Sequence, residues 1–103
     1  MMVIVVENVP PRLRGRLALW LAEIRAGVYV GDYSTRTRER IWNEVRQMIA
    51  DGSAAMAWSA PTDSGFAFDA VGPNRREPAD FDGLTLVRFA PAEAQSLGTG
   101  TNR

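Results

Sequence analysis

The chain has 103 residues, 46% of them apolar and 23% charged, which is typical of one globular domain and leaves no room for two. It contains no Cys and no His, which excludes disulfides, thiolate or imidazole metal sites and Ser-His-Asp catalysis. All twelve basic residues are Arg, which also excludes a lysine Schiff base. Any chemistry must therefore come from carboxylates, Arg, Tyr or hydroxyl groups.

The formal net charge is zero, but the charges are unevenly distributed along the chain. Residues 1–46 hold eight Arg and five acidic residues, whereas residues 47–103 hold four Arg and seven acidic residues. Nucleic-acid binding would therefore depend on local Arg clusters. No apolar run approaches the roughly 20 residues needed to cross a bilayer, and no cleavable leader is recognisable, so we expect no membrane partner and a cytoplasmic location.

The chain begins with a predicted strand and a predicted helix. The β-branched run Met2–Val6 indicates a buried strand that stops at Glu7. Pro11 suits a first helical turn, and Gly27 suits a left-handed helix cap, so the helix is expected to end near Ala26-Gly27. Its inward stripe is formed by apolar residues at spacings of three and four, namely Leu13, Leu17, Trp20, Leu21 and Ile24.

A second helix follows a short extended segment at 28–32, which is either one strand or a very tight hairpin. Ser34 or Thr35 can cap this helix, and Asp51-Gly52 is a natural stop. The expected inward stripe consists of Ile41, Trp42, Val45, Met48 and Ile49.

The second half of the chain changes to the period of two that is typical of strands. Ala54–Trp58 and Phe66–Val71 are predicted to form a hairpin around a turn-rich loop, and Leu84–Phe89 a last strand. Residues 72–83 have turn chemistry throughout and are expected to be a loop. The Gly-, Thr- and Ser-rich residues 92–103 are expected to be a flexible tail.

This order predicts an α+β, ferredoxin-like domain over residues 1–91, with two helices packed on one face of a mainly antiparallel sheet and an extra C-terminal hairpin or strand. Trp20, Trp42, Phe66 and Phe68 lie on apolar stripes and are assigned to the core. Phe66, Phe68 and the final strand are also too apolar for an edge left in water, so we expect a homodimer or a larger partner.

The Arg residues form three groups along the chain. The first lies at the start of the first predicted helix (Arg12, Arg14 and Arg16), the second at the start of the second predicted helix (Arg36, Arg38 and Arg40), and the third in the long loop (Arg75 and Arg76). Cations at a helix N-terminus are locally unfavourable, so the first group is either a solvated surface or a site for an anionic partner. The same two alternatives apply to the loop pair. In the second group, Glu39 and Glu44 at helical spacing indicate self-neutralisation.

Glu7 is the acidic residue at the end of the first strand. It either pairs with Arg12 or Arg14, or caps local N–H groups, or joins the Glu7 of a second copy to hold Mg²⁺ with water completing the octahedron. The sequence contains no complete catalytic constellation.

Three segments of this chain closely resemble the second CRISPR-associated protein of the type I-E system, also described as the CRISPR-associated endoribonuclease two family. They are the run from Glu7 to Leu17 (ENVPPRLRGRL), the run from Arg25 to Asp32 (RAGVYVGD), and Asn74-Arg75-Arg76 followed by Asp82-Gly83-Leu84. The resemblance extends in order over residues 1 to about 90.

The resemblance implies a ferredoxin-like homodimer that bridges two dimers of the CRISPR integrase, the first CRISPR-associated protein, during spacer acquisition in antiviral defence. It implies a scaffold that binds protospacer double-stranded DNA through phosphates and requires no cofactor. The residues it assigns to DNA phosphates are Asn8, Arg12, Arg14, Arg16, Asn74, Arg75 and Arg76. Asp63 and Asp82 would face basic residues of the integrase.

The same resemblance also implies an alternative, a Mg²⁺-dependent endonuclease of RNA or DNA. Members described in this way carry Asp at the end of the first strand, whereas this chain carries Glu7. One extra methylene would displace a metal by more than about 1 Å, which argues against a site tuned for Asp.

Overall fold

The computed structural model describes residues 1–73 together with the backbone of two further strands. Residues 74–75, 82–83 and 90–103 lie outside the described residues, as do the side chains of both later strands. In chain order the elements are β1 (Met2–Glu7), α1 (Pro11–Trp20), β2 (Ala22–Arg25), β3 (Val28–Gly31), α2 (Thr35–Met48), β4 (Ser53–Ser59), β5 (Phe66–Val71), β6 (Arg76–Phe81) and β7 (Leu84–Phe89).

The main sheet has five strands in the order β2-β3-β1-β4-β5, and every neighbouring pair is antiparallel. The first four strands and two helices give the βαββαβ order of a ferredoxin-like fold, and β5 extends the sheet beyond β4. Strands β6 and β7 form a separate antiparallel pair. The predicted fold class, with its extra C-terminal hairpin, is therefore confirmed.

The two faces of the sheet differ because side chains alternate along each strand. In β1, Met2, Ile4 and Val6 are buried, whereas Val5 is 43% exposed. The buried side chains pack with Leu13 and Leu17 of α1, with Ile41, Trp42 and Val45 of α2, and with Tyr29 and Met56 of the neighbouring strands. Both helices therefore cover one face, and the Val5 face is left open.

Helix α2 follows its sequence prediction closely. Ser34 is the N-cap, and its hydroxyl accepts a hydrogen bond from the Thr37 N–H at 3.3 Å. The first three residues of the expected stripe are buried, and Met48 and Ile49 are partly buried against the core. Among the described helices, none is long and apolar enough to cross a membrane.

The prediction for α1 is wrong at its C-terminus. The helix ends at Trp20, and residues 22–31 form a hairpin in which Arg25 pairs with Val28 across the turn Ala26-Gly27. Gly27 serves the turn, with φ of 79°, and does not cap a helix. Hairpin pairing overrides the helical spacing because it gives β3 a second strand partner, and Ile24 consequently lies 65% exposed on an edge strand.

Three other expectations are corrected. Residues 76–81 form β6 and are not loop, because their backbone groups pair with β7. Phe66 is 37% exposed and Phe68 is half-buried, since both lie on the open face. Trp20 is half-buried at the end of α1, whereas Trp42 is buried as expected. The domain boundary and the tail beyond residue 89 lie outside the described residues.

We expect Gly27→Ala and Gly15→Ala to change stability in opposite directions. A Cβ on Gly27 would meet the Val6 carbonyl oxygen at 2.8 Å and would carry a positive φ, so unfolding free energy should fall by about 1–3 kcal/mol. A Cβ on Gly15 would meet no atom within 4 Å, and Ala at that helical position should add up to about 1 kcal/mol. Urea unfolding at fixed protein concentration measures both, and equal effects would contradict the hairpin assignment.

Candidate nucleic-acid interface

The carboxyl end of β1 gathers several predicted site residues. Glu7 is the last residue of the strand and pairs in register with Ser53 at the start of β4. Asn8 follows in the left-handed region, with φ of 56°, and turns the chain towards α1. The carbonyl oxygen of Gly27 accepts a hydrogen bond from the Val6 N–H at 2.9 Å, so the β2–β3 turn lies at the same end.

The N-terminus of α1 keeps an unsatisfied backbone donor. Pro11 has no N–H, and the N–H groups of Leu13 and Arg14 donate to the carbonyl oxygen of Pro10 at 3.0 and 3.3 Å. Within the described part of the chain this leaves the Arg12 N–H free, and the first turn contains no acidic residue. Positive side chains, a free donor and the helix dipole therefore coincide here, and each of them favours an anion.

The three Arg side chains of α1 have different surroundings. Arg12 is exposed and makes no ion pair with a described residue. Arg14 is half-buried and acts electrostatically on the hydroxyl of Tyr29. Arg16 donates from Nη2 to Oε1 of Glu44 at 3.3 Å, and its Cζ lies 5.7 Å from the centroid of the Trp20 ring. Of the three, Arg12 is therefore the freest to meet a new partner.

Tyr29 of β3 is fully buried, and Arg14 and Glu23 both act electrostatically on its hydroxyl. Its hydroxyl has no hydrogen-bond partner among residues 1–73. Burial raises the pKa of Tyr29 above the usual 10.0, and the Glu23 carboxylate raises it further, whereas Arg14 acts in the opposite direction. Glu23 itself accepts a hydrogen bond from the Gly27 N–H at 3.1 Å, which stabilises the hairpin turn.

Two Arg residues of α2 contact the sheet and not acidic residues of their own helix. Arg38 stacks over the Trp58 ring, with its Cζ 4.4 Å from the centroid, and Arg46 lies 3.9 Å from Asp69. Glu44 pairs with Arg16 of α1 and not within its own helix. The self-neutralised surface predicted from spacing is therefore wrong for Glu44, because the neighbouring helix supplies a closer cation.

Sequence reasoning missed Asp69, whose Oδ2 accepts a hydrogen bond from Nε1 of Trp42 at 3.0 Å. Asp69 pairs with the buried Met56 and therefore lies on the helix-covered face of β5. The alternation along β5 could have predicted this contact, since a carboxylate at an inward strand position needs a hydrogen-bond donor from the helices that cover the sheet. Trp42 supplies this donor from α2, and Arg46 adds an ion pair at 3.9 Å, so both residues connect α2 to the sheet.

The loop pair Arg75-Arg76 follows in sequence from this end of the sheet. Val71, the last residue of β5, pairs with Ala54, and the Ser53 hydroxyl donates to the Pro73 carbonyl oxygen at 3.2 Å. Pro73 thus lies beside the strand position opposite Glu7. Asn74, Arg75 and Asp82 lie outside the described residues, and Arg76 begins β6 without a described side chain.

The two acidic candidates that the structure describes lie apart. Asp63 is exposed in the loop between β4 and β5. Ser59 of β4 pairs with Phe66 of β5 next to this loop, so Asp63 lies at the end of the sheet opposite Glu7. Glu7 is exposed and does not pair with Arg12 or Arg14. Within residues 1–73, no group of three or more acidic, His or Cys residues could hold a metal ion.

Comparison with protein families gives a match that covers most of the chain. The model for a CRISPR-associated protein (Cas_Cas2CT1978) matches residues 1–86. The chain belongs to this CRISPR-associated family. The resemblance found in the sequence is thereby confirmed at the level of the family.

The open sheet face of this CRISPR-associated protein is a broad apolar groove of about 650 Å³. Val3 and Val5 of β1, Ala55 of β4, and Phe66 and Phe68 of β5 contribute to its lining. The two Phe rings stack with centroids 6.4 Å apart. Glu7 lies at the edge of this groove and does not take part in the helix-covered core.

We expect the free energy of unfolding to fall as the pH rises above 10.0, the usual pKa of a Tyr side chain, because the pKa of Tyr29 is raised in the folded state. The unfolded chain ionises there while the folded chain retains the proton, so unfolded molecules are favoured. The chain contains no Lys, His or Cys, so few other groups titrate in this range. Urea unfolding between about pH 9 and 11 should show the loss, and Tyr29→Phe should reduce it.

Tyr33→Phe serves as the matched control. The Tyr33 hydroxyl donates to the Trp20 carbonyl oxygen at 2.6 Å, and its ring is 41% exposed. An alkaline loss that survives Tyr29→Phe and disappears in Tyr33→Phe would show that a different hydroxyl is responsible.

Proposed function

We propose that this CRISPR-associated protein is a non-catalytic, double-stranded-DNA-binding subunit of a type I-E spacer acquisition complex. It acts as a homodimer that bridges two integrase dimers and contacts DNA phosphates with Arg. The observation that carries the proposal is the convergence of the start of α1 and of Pro73, which precedes the Arg75-Arg76 pair in sequence, on one end of the sheet. The family match supports a role in CRISPR systems, and the convergence supports DNA as the ligand.

The convergence follows from strand directions. Helix α1 starts four residues after Glu7, and the chain after β5 brings Pro73 beside Ser53, the residue that pairs with Glu7. Helix α2 starts at the other end, because Gly31 of β3 pairs with Met2 and α2 follows β3. The start of α1 and Pro73 thus lie at the same end of the sheet, although about 60 residues separate Arg12 from Pro73 in sequence.

Phosphate binding explains an arrangement that is otherwise unfavourable. Arg12 and Arg14 lie at the positive end of a helix dipole, where like charges repel one another, and no acidic residue in the first turn offsets them. A DNA backbone would supply the missing negative charge at the free Arg12 N–H and the exposed guanidinium. Contacts of this kind carry no base information, so binding should depend on salt and little on sequence.

The homodimer is proposed to form through the open sheet face. This face is an apolar groove whose lining includes Val3, Val5, Phe66 and Phe68. Exposure of such a patch to water is unfavourable, and monomeric proteins rarely leave one uncovered. A two-fold axis through this face would place one Arg set on each side of it. Two spaced Arg sets could then hold one duplex while the bond chemistry takes place on the integrase.

The integrase contacts are proposed for Asp63 and Asp82, which would meet basic residues of the partner. Asp63 lies at the end of the sheet opposite Arg12, so one chain can present DNA-facing and partner-facing surfaces that do not overlap. The Mg²⁺ nuclease alternative would require Glu7 carboxylates from two copies, since residues 1–73 hold no group of three or more His, Cys, Asp or Glu that could bind a metal ion.

We expect Arg12→Ala to weaken binding of the dimer to a DNA duplex and to lower its salt dependence. If about five phosphates are neutralised per protomer, log K should fall with log salt at a slope near −9. Loss of one contact per protomer should reduce that slope by about two. Fluorescence anisotropy over a salt series measures both quantities.

Arg36→Ala is the matched control for this experiment. It removes an exposed cation from the first turn of the other helix, which begins at the opposite end of the sheet. Affinity and slope should stay close to those of the unmodified protein. Equal losses in the two variants would show that general positive charge, and not the α1 end, binds DNA.

We expect Val5→Glu to convert the dimer to monomers, because it places a charge in the centre of the apolar face. Leu19→Glu is the control, since Leu19 is an apolar residue of α1 that is 80% exposed and lies away from that face. Light scattering coupled to size-exclusion chromatography gives the mass of each. A monomeric unmodified protein, or a dimeric Val5→Glu variant, would contradict the proposed interface.

A further inference from the structure

We infer that Glu44 of α2 positions the Arg16 guanidinium of α1 for contact with a DNA phosphate. This inference rests on the proposed function and extends it to a residue of the opposite charge. Glu44 would act through Arg16 and would not itself touch the DNA.

Two contacts restrain the Arg16 side chain. Its Nη2 donates to Oε1 of Glu44 at 3.3 Å, and its Cζ lies 5.7 Å from the Trp20 ring centroid. The carboxylate limits rotation of the guanidinium, and the indole face limits its tilt. The Arg16 and Glu44 side chains remain 46% and 37% exposed, so the restrained guanidinium is still open to solvent.

The restraint is useful because a guanidinium has five N–H donors. One donor meets Glu44 in the structure, which leaves others for a phosphate oxygen. A free Arg loses rotamer entropy when it binds, whereas a side chain that is already ordered loses less. Glu44 would therefore strengthen DNA binding even though its own charge repels DNA.

Helices α1 and α2 border a common groove, and contacts at this groove hold them together. Trp20, Tyr33, Ile41 and Glu44 are among the residues that line a groove of about 200 Å³ between them. The Tyr33 hydroxyl donates to the Trp20 carbonyl oxygen at 2.6 Å and ties the end of α1 to the segment before α2. Glu44 is thus held within reach of Arg16 by tertiary contacts.

Glu39 allows charge repulsion to be separated from positioning. It lies on the same helix, is exposed, and makes no ion pair with a described residue. Five residues along a helix correspond to a rotation of about 140°, so Glu39 lies on a different flank from Glu44. Removal of either carboxylate changes the net charge equally, but only Glu44 contacts Arg16.

The test compares Glu44→Ala with Glu39→Ala in the full chain, using anisotropy with one DNA duplex at low salt. Glu44→Ala should weaken binding by about threefold, a size that suits an exposed ion pair. Glu39→Ala should leave affinity unchanged or slightly higher. Glu44→Gln retains an oxygen acceptor for Arg16 and should bind like the unmodified protein or more tightly.

A double-mutant cycle shows whether the effect passes through Arg16. In an Arg16→Ala background, Glu44→Ala should no longer weaken binding. Thermal unfolding of each variant checks that the fold is retained. Equal affinities of Glu44→Ala and Glu39→Ala, or a loss that persists without Arg16, would overturn the inference.

The two proposals fail in different ways. If the unmodified protein binds duplex DNA with a steep salt dependence that Arg12→Ala reduces, then a silent Glu44→Ala rejects only the positioning role. If the unmodified protein shows no salt-dependent DNA binding, the proposed function and the positioning role are both rejected.

Discussion

Strand β1 lies at the centre of the five-stranded sheet, and the alternation of its side chains organises the molecule. Met2, Ile4 and Val6 face the helices and belong to the hydrophobic core, whereas Val3 and Val5 face the open groove. Because β1 pairs on both sides, its carboxyl end also collects the start of α1, the β2–β3 turn and the end of β5. The core and the candidate interface therefore depend on the same strand.

Electrostatic pairing divides the Arg residues into structural and available groups. Arg38 and Arg46 are engaged with Trp58 and Asp69, which connect α2 to the sheet. Arg16 joins the two helices through Glu44, and Arg12 remains exposed at a helix N-terminus. A chain of zero net charge can thus present a local positive surface at the start of α1, because the first turn of that helix contains no acidic residue.

Much of the fold was predictable because its signals are local. The apolar run of β1, the Ser34 cap with the stripe of α2, and the alternation in β5 each predict one element from adjacent residues. The end of α1 was not predictable in this way, since Leu21 and Ile24 continue the helical spacing although residues 22–25 pair with β3. Likewise, β6 was hidden by turn-forming residues and required its partner strand.

For the site, the sequence alone determined the residue types: Arg as the source of positive charge, no His, Cys or Lys, and a single acidic residue at the end of β1. It also carried the motifs of a CRISPR-associated family, which the family match bears out. Only the tertiary structure decided which Arg residues are paired, that Glu44 contacts Arg16 of α1, and that Pro73 lies beside Ser53 at the carboxyl end of β1. These outcomes depend on distances between residues far apart in the chain, which strand register and helix packing set and local sequence patterns do not contain.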